Sequence, residues 1–374
     1  MSRSAAALLL LLACLDAAVP VRVPAADRFQ VSLRQDATSA ERLLDLFEGM
    51  GNPADVAALP GSRITLATTA LLAGEPLTEE DLRARLEEAK FGHLVREEAF
   101  QLAAARANAP AVRELLREMK NRNFTQRVVA TVRPLFPEGT AVSAEIPLYV
   151  TAFGHSAIDA FVRRVAWRGD RPQFVGEGEG EPVIVLNLAS SVRYGTTTAE
   201  RFVWTLSVCA HEVFHAAFTA VKERTPAWQA YYAAPGTPLD VLLDLTQNEG
   251  VAYHMSMEQR VGDALPPDWD ARARAAFAAF DRHAAELSSP GITAARAGEL
   301  IRAANTSSFW ESYGAVAGMV MARGIDRALG RAALAETLLK SPGAFVSTYL
   351  EVSRRQGDLP RFSPGTEELL RGAR

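Results

Sequence analysis

The pentapeptide His-Glu-Val-Phe-His at residues 211–215 constrains this chain of 374 residues more than any other feature. In an α-helix, residues i and i+4 share a face, so the imidazoles of His211 and His215 can both reach one metal ion at the roughly 2.0–2.1 Å that zinc requires. Glu212 would then lie beside the ion without binding it, as the general base for a metal-activated water does. The segment is therefore expected to be helical, and it predicts a zinc site with an open position.

The surrounding sequence supports a helix from about residue 199 to residue 221. Thr197 and Glu200 form the T-x-x-E pattern of a capping box, which satisfies free backbone N–H groups at a helix start. His211 and His215 project from one face, and a neighbouring face carries an apolar stripe of Phe202, Leu206, Cys209, Val213 and Ala217. The helix can thus pack against a core and still present ligands to a cleft. The alternative is a helix with two incidental histidines.

Two histidines and a water leave a tetrahedral zinc shell one protein ligand short. Glu249 lies in a second predicted helix, from about residue 239 to residue 261. A loop rich in Pro and Ala at residues 225–238 would turn this helix back beside the first one. The small Gly250 that follows Glu249 allows the helices to approach closely. We therefore predict Glu249 as the third ligand, and the alternative is an ordinary exposed helix carboxylate.

With HExxH followed by Asn-Glu-Gly-Val-Ala at residues 248–252, the chain resembles the gluzincins. Within that class it is similar to bacterial zinc-dependent peptidases of the MA clan that carry N-E-G-x-A after the histidine motif. The resemblance covers about residues 146–349. It implies a Zn2+ cofactor, a peptide or protein substrate, Glu212 as general base and acid, and three metal ligands: His211, His215 and Glu249.

One position departs from the thermolysin-like members of that class. There, the third-ligand glutamate is followed four residues later by an aspartate that orients a ligand histidine. Here the position holds Tyr253, so another group must orient the histidine, such as Asp244 or a backbone carbonyl.

Amide hydrolysis also needs a hydrogen-bond donor, besides the metal, for the oxyanion that forms in the transition state. Tyr313, Tyr253 and His254 can all donate. Tyr313 opens a predicted helix whose capping box is formed by Ser308 and Glu311. We predict Tyr313 for this catalytic role, and the alternative is a tyrosine that anchors the helix at the edge of the core.

Two short β-rich runs precede the first metal helix. Residues 146–153 (IPLYVTAF) and residues 182–188 (PVIVLNL) both read as strands. In zincins the strand before the active helix borders the cleft, where an extended substrate adds as a further strand. We predict Pro182 to Leu188 for that edge, and the alternative is a plain core strand.

The N-terminal residues have the pattern of an export signal. A positively charged third residue precedes an apolar run at residues 5–13 that is too short to cross a bilayer, so residues 1–26 are predicted as a signal peptide. The protein is then periplasmic or extracellular. The sequence Leu-Leu-Ala-Cys ending at Cys14 resembles a lipobox, which would anchor the protein to a membrane by a lipid. The alternative is conventional cleavage after Ala18 or Ala25.

The rest of the chain has the composition of a globular protein, with a net charge of −4 and a sequence pI near 6.0, so nothing favours nucleic acid as a partner. Residues 27–140 are predicted as a helical N-terminal region. Residues 141–374 are predicted as a zincin-like catalytic region with a C-terminal helical part. The expected fold is a predominantly helical α+β protein, in which a zincin-like core with a small β-sheet is flanked by N- and C-terminal helices.

The combined pattern predicts an exported zinc hydrolase that cleaves peptide bonds. Two alternatives use the same residues differently. One is a zinc hydrolase that acts on a non-peptide bond, because water activation does not specify an amide. The other is a non-catalytic binding protein with a structural zinc, which would have no need of the free carboxylate of Glu212.

Overall fold

The computed structural model describes residues 28–94, 99–176, 178–262, 264–306 and 308–372. In this part of the chain the protein is a predominantly helical α+β structure with one small five-stranded mixed sheet and flanking helices, which confirms the predicted fold class. The predicted signal peptide at residues 1–26, with Cys14, lies outside the described residues. No helix among the described residues is both long and apolar enough to cross a membrane.

The sheet contains five strands in the order β1-β2-β5-β3-β4. Their bounds are β1 (Phe29–Asp36), β2 (Val142–Thr151), β3 (Ala160–Arg168), β4 (Arg171–Phe174) and β5 (Glu181–Asn187). Strands β1, β2 and β5 are parallel, whereas β3 is antiparallel to both β5 and β4. The two predicted strands correspond to β2 and β5.

Between β1 and β2, the helices are α1 (Thr38–Phe47), α2 (Pro53–Ala57), α3 (Pro60–Ala73), α4 (Glu79–Phe91), α5 (Leu102–Ala107), α6 (Ala109–Asn121) and α7 (Phe124–Val132). After β5, they are α8 (Leu188–Ser191), α9 (Thr198–Arg224), α10 (Pro226–Ala233), α11 (Pro238–Val261), α12 (Trp269–Leu287), α13 (Ala294–Ala304), α14 (Tyr313–Leu329), α15 (Arg331–Thr337), α16 (Pro342–Arg355) and α17 (Pro364–Arg371). Short 3-10 turns lie at Arg133–Leu135 and Phe309–Glu311.

The N-terminal helices and the predicted catalytic region share one sheet. Strand β1 pairs with β2 along its whole length, from Phe29 opposite Val142 to Asp36 opposite Tyr149. A single large apolar cluster also contains buried residues from both parts of the chain, such as Leu115 of α6 and Phe214 of α9. The sheet and this core therefore fix the positions of the helices that carry the predicted metal ligands.

The predicted position of the edge strand is wrong. The predicted run falls on β5 (Glu181–Asn187), which lies between β2 and β3 and is hydrogen-bonded on both sides. Its continuous apolar sequence reflects this burial, because a strand covered on both faces needs no polar alternation. The plain core strand that the sequence left as the alternative is the correct description.

The first metal helix, α9, follows the sequence prediction closely. Thr197 accepts a hydrogen bond from the backbone N–H of Glu200 at 3.2 Å, and the Glu200 carboxylate accepts one from the Thr197 N–H at 3.0 Å. The apolar stripe faces the core, since all five of its members are buried: Phe202, Leu206, Cys209, Val213 and Ala217. The histidine motif is thus held rigidly in the middle of a long, packed helix.

The second metal helix, α11, packs against α9 on one side and against α14 on another. It begins with a capping box of Thr237 and Asp240. At the contact with α14, a Cβ added to Gly250 would lie 2.3 Å from the carbonyl carbon of Gly318. A Cβ on Gly318 would lie 2.0 Å from the carbonyl oxygen of Thr246. The two backbones can approach this closely only because both positions are glycine.

We expect Gly318→Ala to lower the free energy of unfolding by about 1–3 kcal/mol, because the new methyl group meets rigid backbone that must move apart. Urea unfolding of both variants measures this. The matched control is Gly298→Ala in α13, where the nearest neighbour of an added Cβ is the flexible Arg302 guanidinium at 3.2 Å. That variant should be neutral or more stable, since alanine favours a helix over glycine by about 1 kcal/mol. Equal stability of Gly318→Ala and the wild type would contradict this account of the contact.

Candidate metal centre

The three predicted ligands meet at one point between α9 and α11. His211 and His215 lie one turn apart on α9, with ring centroids 4.5 Å apart. Their Nε2 atoms lie 3.3 Å and 3.5 Å from Oε2 of Glu249 on α11. All three side chains are at most 15% exposed. The structure therefore brings together the residues that the sequence singled out from two separate helices.

The spacing of these donor atoms fits a zinc ion. Ligands bound tetrahedrally at 2.0–2.1 Å are about 3.3 Å from one another. The two measured nitrogen–oxygen distances are close to this value, and the three donor atoms all lie within 4.8 Å of one another. Two imidazoles and one carboxylate are also the donor types that zinc hydrolases use. The residues present thus fit the cofactor that the sequence predicts.

The charges of His215 and Glu249 also favour a cation between them. Burial would by itself lower the pKa of His215, but the negative charges of Glu249 and Glu212 outweigh it and raise this pKa to about 9. Burial would likewise raise the pKa of Glu249, but the charge of His215 and hydrogen bonds from both imidazoles hold it well below its usual range. The carboxylate is therefore ionised, and positive charge must accompany it in the fold.

Asn248 orients the second histidine. Its Oδ1 lies 3.0 Å from Nδ1 of His215, so the amide oxygen accepts a hydrogen bond from Nδ1–H and leaves Nε2 free to bind a metal. The sequence-based suggestion of Asp244 for this role is wrong. Asp244 instead forms an ion pair with Lys222 and accepts a hydrogen bond from the Tyr232 hydroxyl at 2.6 Å. Asn248 immediately precedes Glu249 in the sequence, but its contact with His215 depends on how α9 and α11 pack.

The metal residues line a cleft of about 760 Å³. Glu212 is on its wall, as the motif predicts, and forms no ion pair among the described residues. Tyr253 is also on the wall, with its ring centroid 4.5 Å from that of His211. Burial and the charge of Glu249 raise the pKa of Tyr253 well above its usual value, so the phenol stays protonated. The cleft therefore combines a free carboxylate with a neutral hydroxyl donor.

The structure does not bring Tyr313 to this cleft. Its hydroxyl donates to the carbonyl of Leu300 at 3.0 Å, and its ring packs against His283 of α12. Tyr313 is thus the anchor at the helix start that the sequence left as the alternative. His254 is turned away as well, because its Nε2 lies 2.7 Å from Oδ2 of Asp326.

Strand β3 forms the wall of the cleft opposite the metal helices. Residues 160–163 line it, together with Asp159 and Ala157 just before the strand. The sequence does not predict this strand, because Arg163 and Arg164 interrupt its apolar pattern. The sequence also does not predict the aromatic and charged side chains at one end of the cleft: Tyr194, Trp204 and Arg260. Their positions depend on three different elements and leave no common signal in the sequence.

A helical α+β fold with two histidines and a glutamate gathered beside a cleft defines a class of zinc-binding proteins. A family model matches residues 57–357, and its description is "putative zinc dependent peptidase" (DUF5700). Because the match spans most of the chain, the protein belongs to this family, and zinc is its cofactor. A search of curated proteins and a search of solved structures each found no match.

If Asn248 holds His215 in place, Asn248→Ala should weaken zinc binding by about 10- to 100-fold, as loss of such an orienting hydrogen bond does in other zinc sites. Competition with a chromophoric chelator measures the affinity. Asn248→Asp is the matched control, since its carboxylate also accepts a hydrogen bond from Nδ1–H and should largely preserve binding. An Asn248→Ala protein that binds zinc like the wild type would refute the role.

Proposed function

We propose that this protein is a gluzincin-type metallopeptidase that hydrolyses peptide bonds with Glu212 as general base and acid. One observation carries the proposal. His211, His215 and Glu249 converge at zinc-ligand spacing in a cleft that also exposes an unpaired carboxylate. A closed structural zinc site has four protein ligands and no such carboxylate.

The three ligands would hold the ion, and the fourth position would face the cleft. Zinc, when bound, supplies a water acidified toward a pKa of about 7 and a positive charge for the developing oxyanion. Glu212 takes one proton from the attacking water as the oxygen bonds to the peptide carbonyl carbon. The same carboxyl group then returns that proton to the departing amine nitrogen as the carbon–nitrogen bond breaks. The products are one carboxylic acid and one amine.

Tyr253 is the side chain best placed to donate a hydrogen bond to the oxyanion. Its ring packs against His211, and its hydroxyl has no hydrogen-bond partner within the described residues. A buried phenol that keeps its proton can stabilise negative charge that develops beside it. We therefore assign to Tyr253 the oxyanion-donor role that the sequence predicts for Tyr313.

The free side of β3 supports an extended peptide as substrate. The Asn187 N–H donates to the Asp159 carbonyl at 2.8 Å, so alternation along the pair directs the backbone groups of Phe161 and Arg163 toward β5. The N–H and C=O groups of Ala160 and Val162 then point the other way, where β4 does not extend. A peptide can form main-chain hydrogen bonds there, independently of its sequence.

The proposed location rests on the N-terminal sequence alone. We propose that the apolar run at residues 5–13 directs export to the periplasm or beyond, with lipidation at Cys14 or cleavage after Ala18 or Ala25 as the two processing routes. Mass spectrometry of the mature N-terminus distinguishes the routes.

We expect Glu212→Gln to lower peptide cleavage by at least about 100-fold while zinc content stays unchanged, because only the proton transfer is removed. Digestion of a peptide library, read by mass spectrometry, measures cleavage, and elemental analysis measures zinc. Glu258→Gln is the control, since Glu258 lies outside the cleft and pairs with Arg331. If the wild type holds zinc but cleaves no peptide, the enzyme acts on another bond or the zinc is structural, and the peptidase proposal fails.

Tyr253→Phe should reduce kcat by about 100- to 1000-fold with little change in KM, which is the usual effect of losing one oxyanion donor. Initial-rate kinetics on a peptide from the library gives both constants. The matched control is Tyr313→Phe, which removes a hydroxyl that bonds to Leu300 outside the cleft. Its kcat should remain near the wild-type value, and a larger loss in Tyr313→Phe than in Tyr253→Phe would reverse the assignment.

A further inference from the structure

The wall of the metal cleft includes the guanidinium group of Arg260. Arg260 lies on α11, and its side chain is partly buried on the cleft wall. Its Nε donates to Ser207 Oγ at 2.6 Å. Among the described residues it forms no ion pair with a carboxylate, so its terminal nitrogens keep their hydrogen-bonding capacity. Burial lowers the pKa of Arg260 to about 10, so the group is still charged at neutral pH. A partly desolvated cation of this kind favours an anionic partner.

Aromatic rings hold the guanidinium in one orientation. Its central carbon lies 3.9 Å from the ring centroid of Trp204, and Trp204 stacks on Tyr194 with centroids 4.3 Å apart. Burial and a hydrogen bond with Asp159 raise the pKa of Tyr194 to about 12, so this phenol remains a donor to that carboxylate. The nearby acid is therefore already occupied by Tyr194. The planar guanidinium is fixed by its Nε and its face, and its terminal nitrogens are the part left for a ligand.

The helix places Arg260 on the same side as the metal. It follows Glu249 by eleven residues, which is close to three full turns and about 16 Å of helix rise. Helical side chains lean toward the N-terminus, so the guanidinium reaches back toward Glu249. An extended peptide advances about 3.3 Å per residue. A substrate residue within roughly three to five positions of the cleaved bond can therefore contact Arg260.

The direction of β3 indicates which side of the substrate this is. Asp159, which contacts Tyr194, immediately precedes the strand, so the Arg260 end of the cleft is the end where β3 begins. Antiparallel pairing is slightly more stable than parallel pairing. A peptide added antiparallel to Ala160–Arg168 would run from the Arg163 end toward Asp159. Its C-terminal part then points toward Arg260.

We propose that Arg260 binds a carboxylate of the substrate on the C-terminal side of the cleaved bond. The assignment rests on the proposed peptidase function and adds a substrate class to it. A guanidinium can bind a carboxylate through two parallel N–H···O bonds, and two sources offer that group. One is a Glu or Asp side chain, and the other is the free C-terminus of a short peptide.

Matched peptides test the proposal and separate the two sources. One pair differs by Glu against Gln at the third position after the bond that the library identifies, and a second pair differs by a free against an amidated C-terminus. The wild type should cleave the carboxylate member of one pair with a kcat/KM about 10- to 100-fold higher, the size expected for a charge-assisted bidentate contact. The peptide pair that shows this preference identifies the source of the carboxylate, which is either the side chain or the free C-terminus.

Variants then assign the preference to Arg260. Arg260→Gln should bring the ratio within the responding pair close to one, and Arg260→Glu should favour a peptide with Lys at that position. The control is Arg272→Gln, because Arg272 also lies over a tryptophan, Trp310, at 4.5 Å but pairs with Asp268 outside the cleft. Its ratio should equal the wild-type ratio. A wild type without any preference, or a preference that persists in Arg260→Gln, overturns the inference.

Binding to the Glu212→Gln protein separates this failure from failure of the proposed function. Fluorescence anisotropy with the same labelled peptides needs no cleavage. If the wild type cleaves nothing but the Glu212→Gln protein binds the carboxylate peptide at least about 10-fold more tightly, and Arg260→Gln removes that difference, the carboxylate site stands and the peptidase proposal falls. Equal binding of both members of each pair overturns the site itself.

Discussion

The contact of Glu249 with two imidazoles is the interaction on which the rest of the site depends. A carboxylate placed between two packed helices loses several kcal/mol of hydration unless positive charge replaces it. The 3.3 Å and 3.5 Å contacts to His211 and His215 provide that replacement when one imidazole is protonated, and a divalent ion provides it more fully. Metal binding and the packing of α9 against α11 are therefore coupled, because each fixes the geometry that the other needs.

That coupling requires the two helices to stay at a fixed separation, and α14 supplies the constraint. The backbone of Gly318 lies against α11 beside Gly250, the residue that follows Glu249. Since the contact is between two backbones, no side-chain rotation can loosen it. The small residues of the NEGVA segment thus act on the metal site through helix position, whereas Asn248 and Glu249 act on it directly.

The sequence predicts what is local and misses what is long-range. The spacing of the two histidines and the Thr197 capping box both lie within one helix. The contact between the histidines and Glu249 requires only a turn that brings the next helix back beside the first. The order of the strands depends on pairing between distant segments. The sequence therefore predicts β5 at the edge of the sheet, although it is a central strand. The structure places Tyr313 away from the cleft for a similar reason, because its position depends on contacts with Leu300 of α13 and His283 of α12 that only the packing of separate helices creates.

The two walls of the cleft offer different kinds of contact to the proposed peptide substrate. Strand β3 offers backbone groups at Ala160 and Val162, which can bind any extended chain, and this favours affinity without selectivity. The opposite wall offers side chains from three separate elements, and the guanidinium of Arg260 among them forms no ion pair with a carboxylate within the described residues. Catalysis needs residues at fixed short spacings, which can be recognised in a sequence, whereas the selectivity that we propose would arise where α9, α11 and the segment after β5 meet. The sequence therefore predicts the metal chemistry of this protein more readily than its substrate.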